Sequence, residues 1–179
     1  MTSIDPQNSS VDPTYVDIEV DAFTQTLSGY TRHKNMYFEV PYVSRISGNL
    51  FQGGCSMGLD LPKEIVHVIS LYPWESYRPS PSVRSMLVVT MLDDPSQDLS
   101  KVDDIARWVN ACASDAPTLV HCQAGLNRSG LVAARALMFQ GMSSHDAIAL
   151  LRATRSRAVL CNPAFEQWLH DNPVQTLHK

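Results

Sequence analysis

From about residue 65 onward the chain alternates short, continuously apolar runs with longer stretches in which apolar residues recur every three or four positions. Residues 65–71 (Ile-Val-His-Val-Ile-Ser-Leu) and 86–91 (Met-Leu-Val-Val-Thr-Met) are too short and too uniformly apolar for surface helices, so they predict buried strands. Ser100 followed by Asp103 has the spacing of a capping box, and Val102, Ile105, Ala106, Trp108, Val109 and Cys112 then fall on one face of a helix. Pro117-Thr118-Leu119-Val120 predicts another short strand. Leu131, Val132, Arg135, Ala136 and Phe139 keep helical spacing until Gly141 stops them. Ser143 or Ser144 opens a further helix with Ile148 and Leu151 inward, and Asn162-Pro163 caps a last one that buries Phe165, Trp168 and Leu169. Parallel buried strands joined by crossover helices imply an α/β fold. The expected form is a three-layer sandwich, a central mostly parallel sheet flanked by helices, with the ligand site at the C-terminal ends of the strands.

The first 35 residues follow a different pattern. Residues 1–14 are rich in Ser, Asp, Asn and Pro and are expected to be mobile, while Ala22, Phe23, Thr26 and Leu27 predict a short helix before Gly29. The expected division is an N-terminal segment over 1–35 and a catalytic domain over 36–175. A chain of 179 residues that is 44% hydrophobic has material for a single sizeable core. Its net charge of -4 leaves no electrostatic footprint for nucleic acid. No apolar run reaches membrane-spanning length and Met1-Thr2-Ser3-Ile4-Asp5-Pro6 lacks the regions of a signal peptide, so a cytoplasmic, monomeric protein is expected. Cys55, Cys112, Cys122 and Cys161 are widely spaced without paired metal-ligand motifs, so neither a disulfide framework nor a bound metal is expected.

The chemistry concentrates in His121-Cys122-Gln123-Ala124-Gly125-Leu126-Asn127-Arg128-Ser129-Gly130, which joins a predicted strand to a predicted helix. Backbone N–H groups of residues 123–128 can converge in front of the helix N-terminus, where unpaired donors and the positive end of the dipole favour an anion such as phosphate. Cys122 at the mouth of this nest is placed to act as a thiolate nucleophile. Arg128 supplies a planar fork for two phosphoryl oxygens, a geometry that a lysine lacks. Gly125 and Gly130 allow backbone conformations or close approaches that a side chain would obstruct, and Ser129 offers a hydroxyl to the sulfur.

On these residues the chain resembles the cysteine-dependent protein tyrosine phosphatases, and within them the dual-specificity branch. The pattern His-Cys, five residues, Arg, Ser/Thr is complete, and its form with Gly125 arises by chance roughly once in ten million windows of average composition. The resemblance extends over roughly residues 45 to 170: residues 45–53 are similar to the family's opening strand segment and 65–71 to the core strand that follows. Residues 91–100 are similar to the general-acid loop. An ungapped alignment puts the family's aspartate on Asp93, and a one-residue shift would put it on Asp94.

The resemblance implies hydrolysis of phosphotyrosine, and of phosphoserine or phosphothreonine, in protein substrates through a phosphocysteine intermediate, without metal or cofactor. Cys122 would be the nucleophile, Asp93 the general acid and Ser129 the aid to thiolate departure. Gln123, Ala124, Gly125, Leu126, Asn127 and Arg128 would hold the phosphoryl group, with His121 and Asn162 in support. Arg157 precedes Asn162 at the spacing of a residue that receives a second anionic group, or is a solvated charge beside Arg152 and Arg155. Residues 74–78 form part of the pocket rim or a plain surface loop. The loop interior has no lysine, which argues against an inositol phosphate head group. The alternatives are an RNA 5′-triphosphatase-like enzyme, which the acidic charge disfavours, and a non-catalytic phosphoprotein-binding pseudophosphatase, which would usually have lost Cys122 or Arg128.

Overall fold

A computed structural model describes residues 11–55, 60–74 and 80–174. Among the described residues, eight strands and four helices follow in the order β1 (Ile18–Asp21), β2 (Thr26–Tyr30), β3 (Tyr37–Pro41), β4 (Val43–Ser47), β5 (Leu50–Gly53), β6 (His67–Ser70), β7 (Ser85–Val88), α1 (Val102–Asp115), β8 (Thr118–His121), α2 (Arg128–Phe139), α3 (Ser144–Thr154) and α4 (Pro163–Asp171). The main sheet runs β4-β5-β8-β6-β7, with β5, β8, β6 and β7 parallel and β4 antiparallel at one edge. This is the expected α/β sandwich. Among the described residues no helix is long and apolar enough to cross a membrane.

Strand alternation decides which side of the sheet each residue meets. Leu50, Val120 and Ile69 point to the face on which Ile105, Val109, Leu131, Leu137, Ile148, Phe165 and Leu169 of the four helices form the main core. Phe51, Leu119 and Val68 point the other way, into a smaller cluster closed by Leu61 and Ile65. β8 is central and buried along its whole length, so its C-terminal end is the most rigidly framed point of the sheet. β7 is an edge strand, and the buried strand predicted there is half-buried instead: Met86 and Val88 are 43% and 51% exposed, while Leu87 packs against the main core.

The helix predicted at residues 22–27 is a hairpin. The Asp21 carboxylate accepts from the backbone N–H groups of Phe23 and Thr24, at 2.8 and 3.1 Å, and this local turn outcompetes a helical start. β1 pairs β2, and β2 pairs β3. Leu27, Phe38 and Val40 of this second sheet are buried in the main core, so the division expected at residues 35–36 cuts through a strand pairing. Residues 11–14, expected to be mobile, include a buried Asp12 and a buried Thr14; residues 1–10 lie outside the described residues.

The capping box at Ser100 does not form. Ser100 N and Oγ donate to Asp98, Lys101 takes the N-cap position of α1 without a side-chain cap bond, and Asp103 pairs with Arg135 at 2.7 Å. Ser143 does cap α3, accepting from Asp146 N at 3.1 Å, and Asn162 caps α4, accepting from Ala164 N at 3.1 Å. We expect Ser143→Ala to cost about 1 kcal/mol in urea unfolding and Ser100→Ala clearly less; equal losses would show that α1 is capped in solution after all.

Candidate active site

Cys122 leaves β8 at its C-terminal end, residues 122–127 make the turn, and α2 begins at Arg128. The turn is held from behind through its carbonyls. Gln123 O accepts from Cys55 N at 2.8 Å, Ala124 O from Arg155 Nη2 at 3.2 Å, and Leu126 O from Leu160 N at 3.2 Å. Gly125 O accepts from Arg155 Nε at 2.6 Å and from Gln52 Nε2 at 3.0 Å. A trans peptide sets N–H opposite C=O, so carbonyls drawn outward turn the amides of residues 124–127 inward, and among the described residues no backbone carbonyl accepts from them. That is the geometry of an anion-binding nest at a helix N-terminus. Gly125 adopts φ +72°, and a Cβ there would lie 2.4 Å from the Gly53 carbonyl and 2.5 Å from the Arg155 guanidinium.

Arg155 is among the site residues that the sequence alone does not single out. It neighbours Arg152 and Arg157 in the chain, yet it is buried and also donates to Pro41 O and Ser44 Oγ, each at 3.0 Å. Burial pushes its pKa down to about 10, which leaves it cationic at neutral pH. The signal was available: Arg155 stands four residues after Leu151, on the face of α3 that the buried Ala147, Ile148 and Leu151 define. Gln52 gave a similar signal, being polar at the inward position two residues after Leu50.

Cys122 Sγ and Ser129 Oγ are 3.4 Å apart, and both residues are buried. Gln52 Nε2 donates to Ser129 Oγ at 3.2 Å, which leaves the hydroxyl proton free to point at the sulfur. His121 lies behind the loop with Nδ1 3.4 Å from Cys122 O, and burial lowers its pKa to about 4, so it is a neutral brace.

Asp93 lines the same pocket as Cys122 and Arg128; Asp94 does not. Asn127 Nδ2 and Asn162 Nδ2 donate to the two Asp93 carboxylate oxygens at 2.9 Å each, and His33 Nε2 lies 3.1 Å from Oδ1. Asn127 also accepts from Asn162 N at 2.9 Å, so the loop, Asp93 and the α4 cap form one network. Burial pushes the Asp93 pKa up, but the bonds from His33, Asn127 and Asn162 and the Arg128 charge outweigh it and leave a net lowering. Asp94 faces outward, accepting from Ser96 and lying 3.6 Å from Arg32.

Arg128 is buried, with its guanidinium 5.0 Å from the centre of the Tyr72 ring. Nη1 donates to Met91 O and to Asp12 Oδ2, both at 3.0 Å. Gln123 reaches the N-terminal segment as well: its side-chain amide accepts from Val16 N at 3.2 Å and donates to Val16 O at 2.8 Å. Nothing in the sequence signalled Asp12, Val16 or His33, because their partners are 60 to more than 100 positions away. Arg157 is not brought to Cys122. It is exposed and lines a separate cavity with Lys34, Met36, Arg152, Cys161 and Glu166, because the turn after α3 directs Arg155 inward and Arg157 outward. Trp74 is described, whereas the rest of the expected rim, residues 75–78, lies outside the described residues.

Residues 61–173 match the family described as dual specificity phosphatase, catalytic domain. The chain belongs to the dual specificity phosphatase family. Dual specificity protein phosphatase OPG106 of Vaccinia virus is 27% identical over 142 residues, covering 74% of this chain and 82% of the viral protein, and the Monkeypox virus protein of the same name gives the same figures. Human DUSP28 has the same fold, with a TM-score of 0.62 at 21% identity over 73% of this chain and 92% of that one. A mouse protein crystallised with zinc tungstate and described as a putative dual specificity phosphatase gives 0.61 at 23% identity over 73% and 87%.

Two consequences can be measured in this phosphatase. Arg155→Lys keeps the charge but loses the planar fork that serves several carbonyls at once, and we expect kcat/KM for p-nitrophenyl phosphate to fall about 100-fold through misplacement of the loop; a near wild-type value would mean the loop holds itself. His121 resists protonation until about pH 4 when folded, whereas unfolded histidine binds a proton near pH 6.5. Between these values the unfolded state holds more protons, so stability is lost as pH falls from about 6.5 to about 4, by on the order of 3 kcal/mol. Urea midpoints across that range should show the loss, and His121→Asn should remove this share of it.

Proposed function

We propose that Cys122, Arg128 and Asp93 carry out a two-step hydrolysis of phosphotyrosine, and of phosphoserine or phosphothreonine, in proteins. What carries the reading is that a nucleophile, a guanidinium and a carboxyl line one pocket above a loop whose amides point inward. The Cys122 thiolate attacks phosphorus in line, the bond from phosphorus to the ester oxygen breaks, and Asp93 gives that oxygen its proton. Arg128 and the amides of the loop hold the equatorial oxygens as charge spreads over them. Asp93, now a carboxylate, takes a proton from water as the water attacks the phosphocysteine. The sulfur–phosphorus bond breaks, and the Ser129 hydroxyl stabilises the departing thiolate.

Asn127 and Asn162 act through Asp93, fixing the direction of its carboxyl. His33 acts on its protonation: a hydrogen bond to the ionised carboxyl stabilises the charged form, whereas a general acid has to be protonated. Free-enzyme ionisations appear in kcat/KM, so the alkaline limb that Asp93 produces lies in the acid range.

The test is a comparison of four variants. Cys122→Ser abolishes turnover. Asp93→Asn slows phosphotyrosine peptide hydrolysis by about 100- to 10,000-fold and removes the alkaline limb, with a smaller loss on activated aryl phosphates, while Asp94→Asn changes little. His33→Ala moves the limb to higher pH, because the first of the hydrogen bonds that lower the Asp93 pKa is gone. An alkaline limb that survives Asp93→Asn would remove Asp93 from the acid's role, and turnover by Cys122→Ser would end the covalent mechanism.

A further inference from the structure

Arg128, the residue that has to receive the phosphoryl group, already holds a carboxylate. The Asp12 and Arg128 side chains are 0% and 4% exposed and meet at 3.0 Å. The carboxylate is delivered by a local turn, in which its other oxygen accepts from Thr14 N and Thr14 Oγ1 at 2.8 and 2.7 Å. The same segment touches the other parts of the site. Thr14 Oγ1 accepts from Asp93 N at 2.9 Å, and the Val16 peptide groups clasp the Gln123 side chain. Thr14 and Val16 therefore roof the pocket that Cys122 floors, and about 20 Å³ of free space remains between them. A single water needs roughly 10–15 Å³ on this scale, so there is no room for a tetrahedral phosphoryl group carrying an ester.

We infer that residues 11–16 form an autoinhibitory strap: Asp12 occupies the anion site as an internal carboxylate, and the strap lifts before a phosphorylated substrate can bind. The inference rests on the reading of the Cys122 loop as a phosphatase site. Competition for one guanidinium is its physical basis. A carboxylate and a phosphoryl dianion seek the same donor, and the dianion brings more charge and more oxygens. Arg128 Nε is buried without an acceptor among the described residues, so the carboxylate leaves a donor unmet that a second phosphoryl oxygen satisfies. Displacement of the strap converts a one-point contact into a forked one.

The strap lowers apparent affinity by the fraction of time it is open, so a strap closed about nine-tenths of the time weakens any ligand of the pocket about tenfold. The probe is orthovanadate, measured on the full chain by titration and as inhibition of p-nitrophenyl phosphate hydrolysis. Asp12→Asn keeps the shape and removes the competing charge, and we expect it to bind vanadate at least about tenfold more tightly than wild type, with a higher kcat/KM. A second measurement uses the unaltered protein: vanadate should speed amide hydrogen exchange over residues 14–18 as the strap leaves, and this decides the matter if Asp12→Asn folds poorly by circular dichroism. Equal or weaker vanadate binding by a folded Asp12→Asn protein, or slower exchange of the strap on binding, would make Asp12 a brace that orients Arg128 and would overturn the proposal with the phosphatase reading intact. If vanadate binds neither protein, the phosphatase reading fails and takes the strap with it.

Discussion

The buried guanidinium of Arg155 is the contact on which the site depends. Taking such a charge out of water costs several kcal/mol unless its donors are met. Here they meet the carbonyls of Ala124, Gly125, Pro41 and Gln52 and the hydroxyl of Ser44. These acceptors come from the phosphate loop, from the end of β3, from β4 and from β5, so one side chain fixes the loop against both sheets. Because each carbonyl it draws outward leaves the next amide facing inward, the positive lining of the pocket is set by a residue outside it. Arg128 and Arg155 thus divide two tasks: one lines the pocket and the other shapes the backbone that lines it.

The acid side of the pocket follows a different logic. Asp93 sits among amides and an imidazole that all favour its ionised form, a stable arrangement for a buried carboxylate and an unfavourable one for a proton donor. Asn127 belongs to the turn after Cys122 and Asn162 caps α4, so the position of the carboxyl is tied to both of these parts of the fold. Under the proposed mechanism, stability and chemistry pull the Asp93 proton in opposite directions, and His33, contributed from between β2 and β3, bonds the carboxyl directly.

How much of this was legible in the sequence depended on range. The strand-to-helix turn at residues 121–130 was readable because its parts are adjacent in the chain, and each residue type has a local physical reason. The caps at Ser143 and Asn162 were readable for the same reason, since their bonds close within three residues. Ser100 misled because its spacing to Asp103 suits a cap, while nearer and more distant partners, Asp98 and Arg135, won the competition. The 22–27 helix failed because a side-chain turn at Asp21 acts over two or three residues, below the resolution of a helical periodicity. Asp12, Val16 and His33 had no local signature at all, and only the fold brings them to Arg128, Gln123 and Asp93.

The clasp between Gln123 and Val16 makes the N-terminal segment a matter of counting. A side-chain amide holds its donor nitrogen and its acceptor oxygen at a fixed separation, and Val16 pairs with both, much as one strand meets another at a single rung. With Val16 fixed there and Asp12 fixed on Arg128, Pro13, Thr14 and Tyr15 span an interval closed at both ends. Substitutions within that interval can be absorbed by a short turn, but the gain or loss of one residue would break one attachment or the other. Insertions and deletions, more than changes of side chain, are what this part of the chain cannot accommodate.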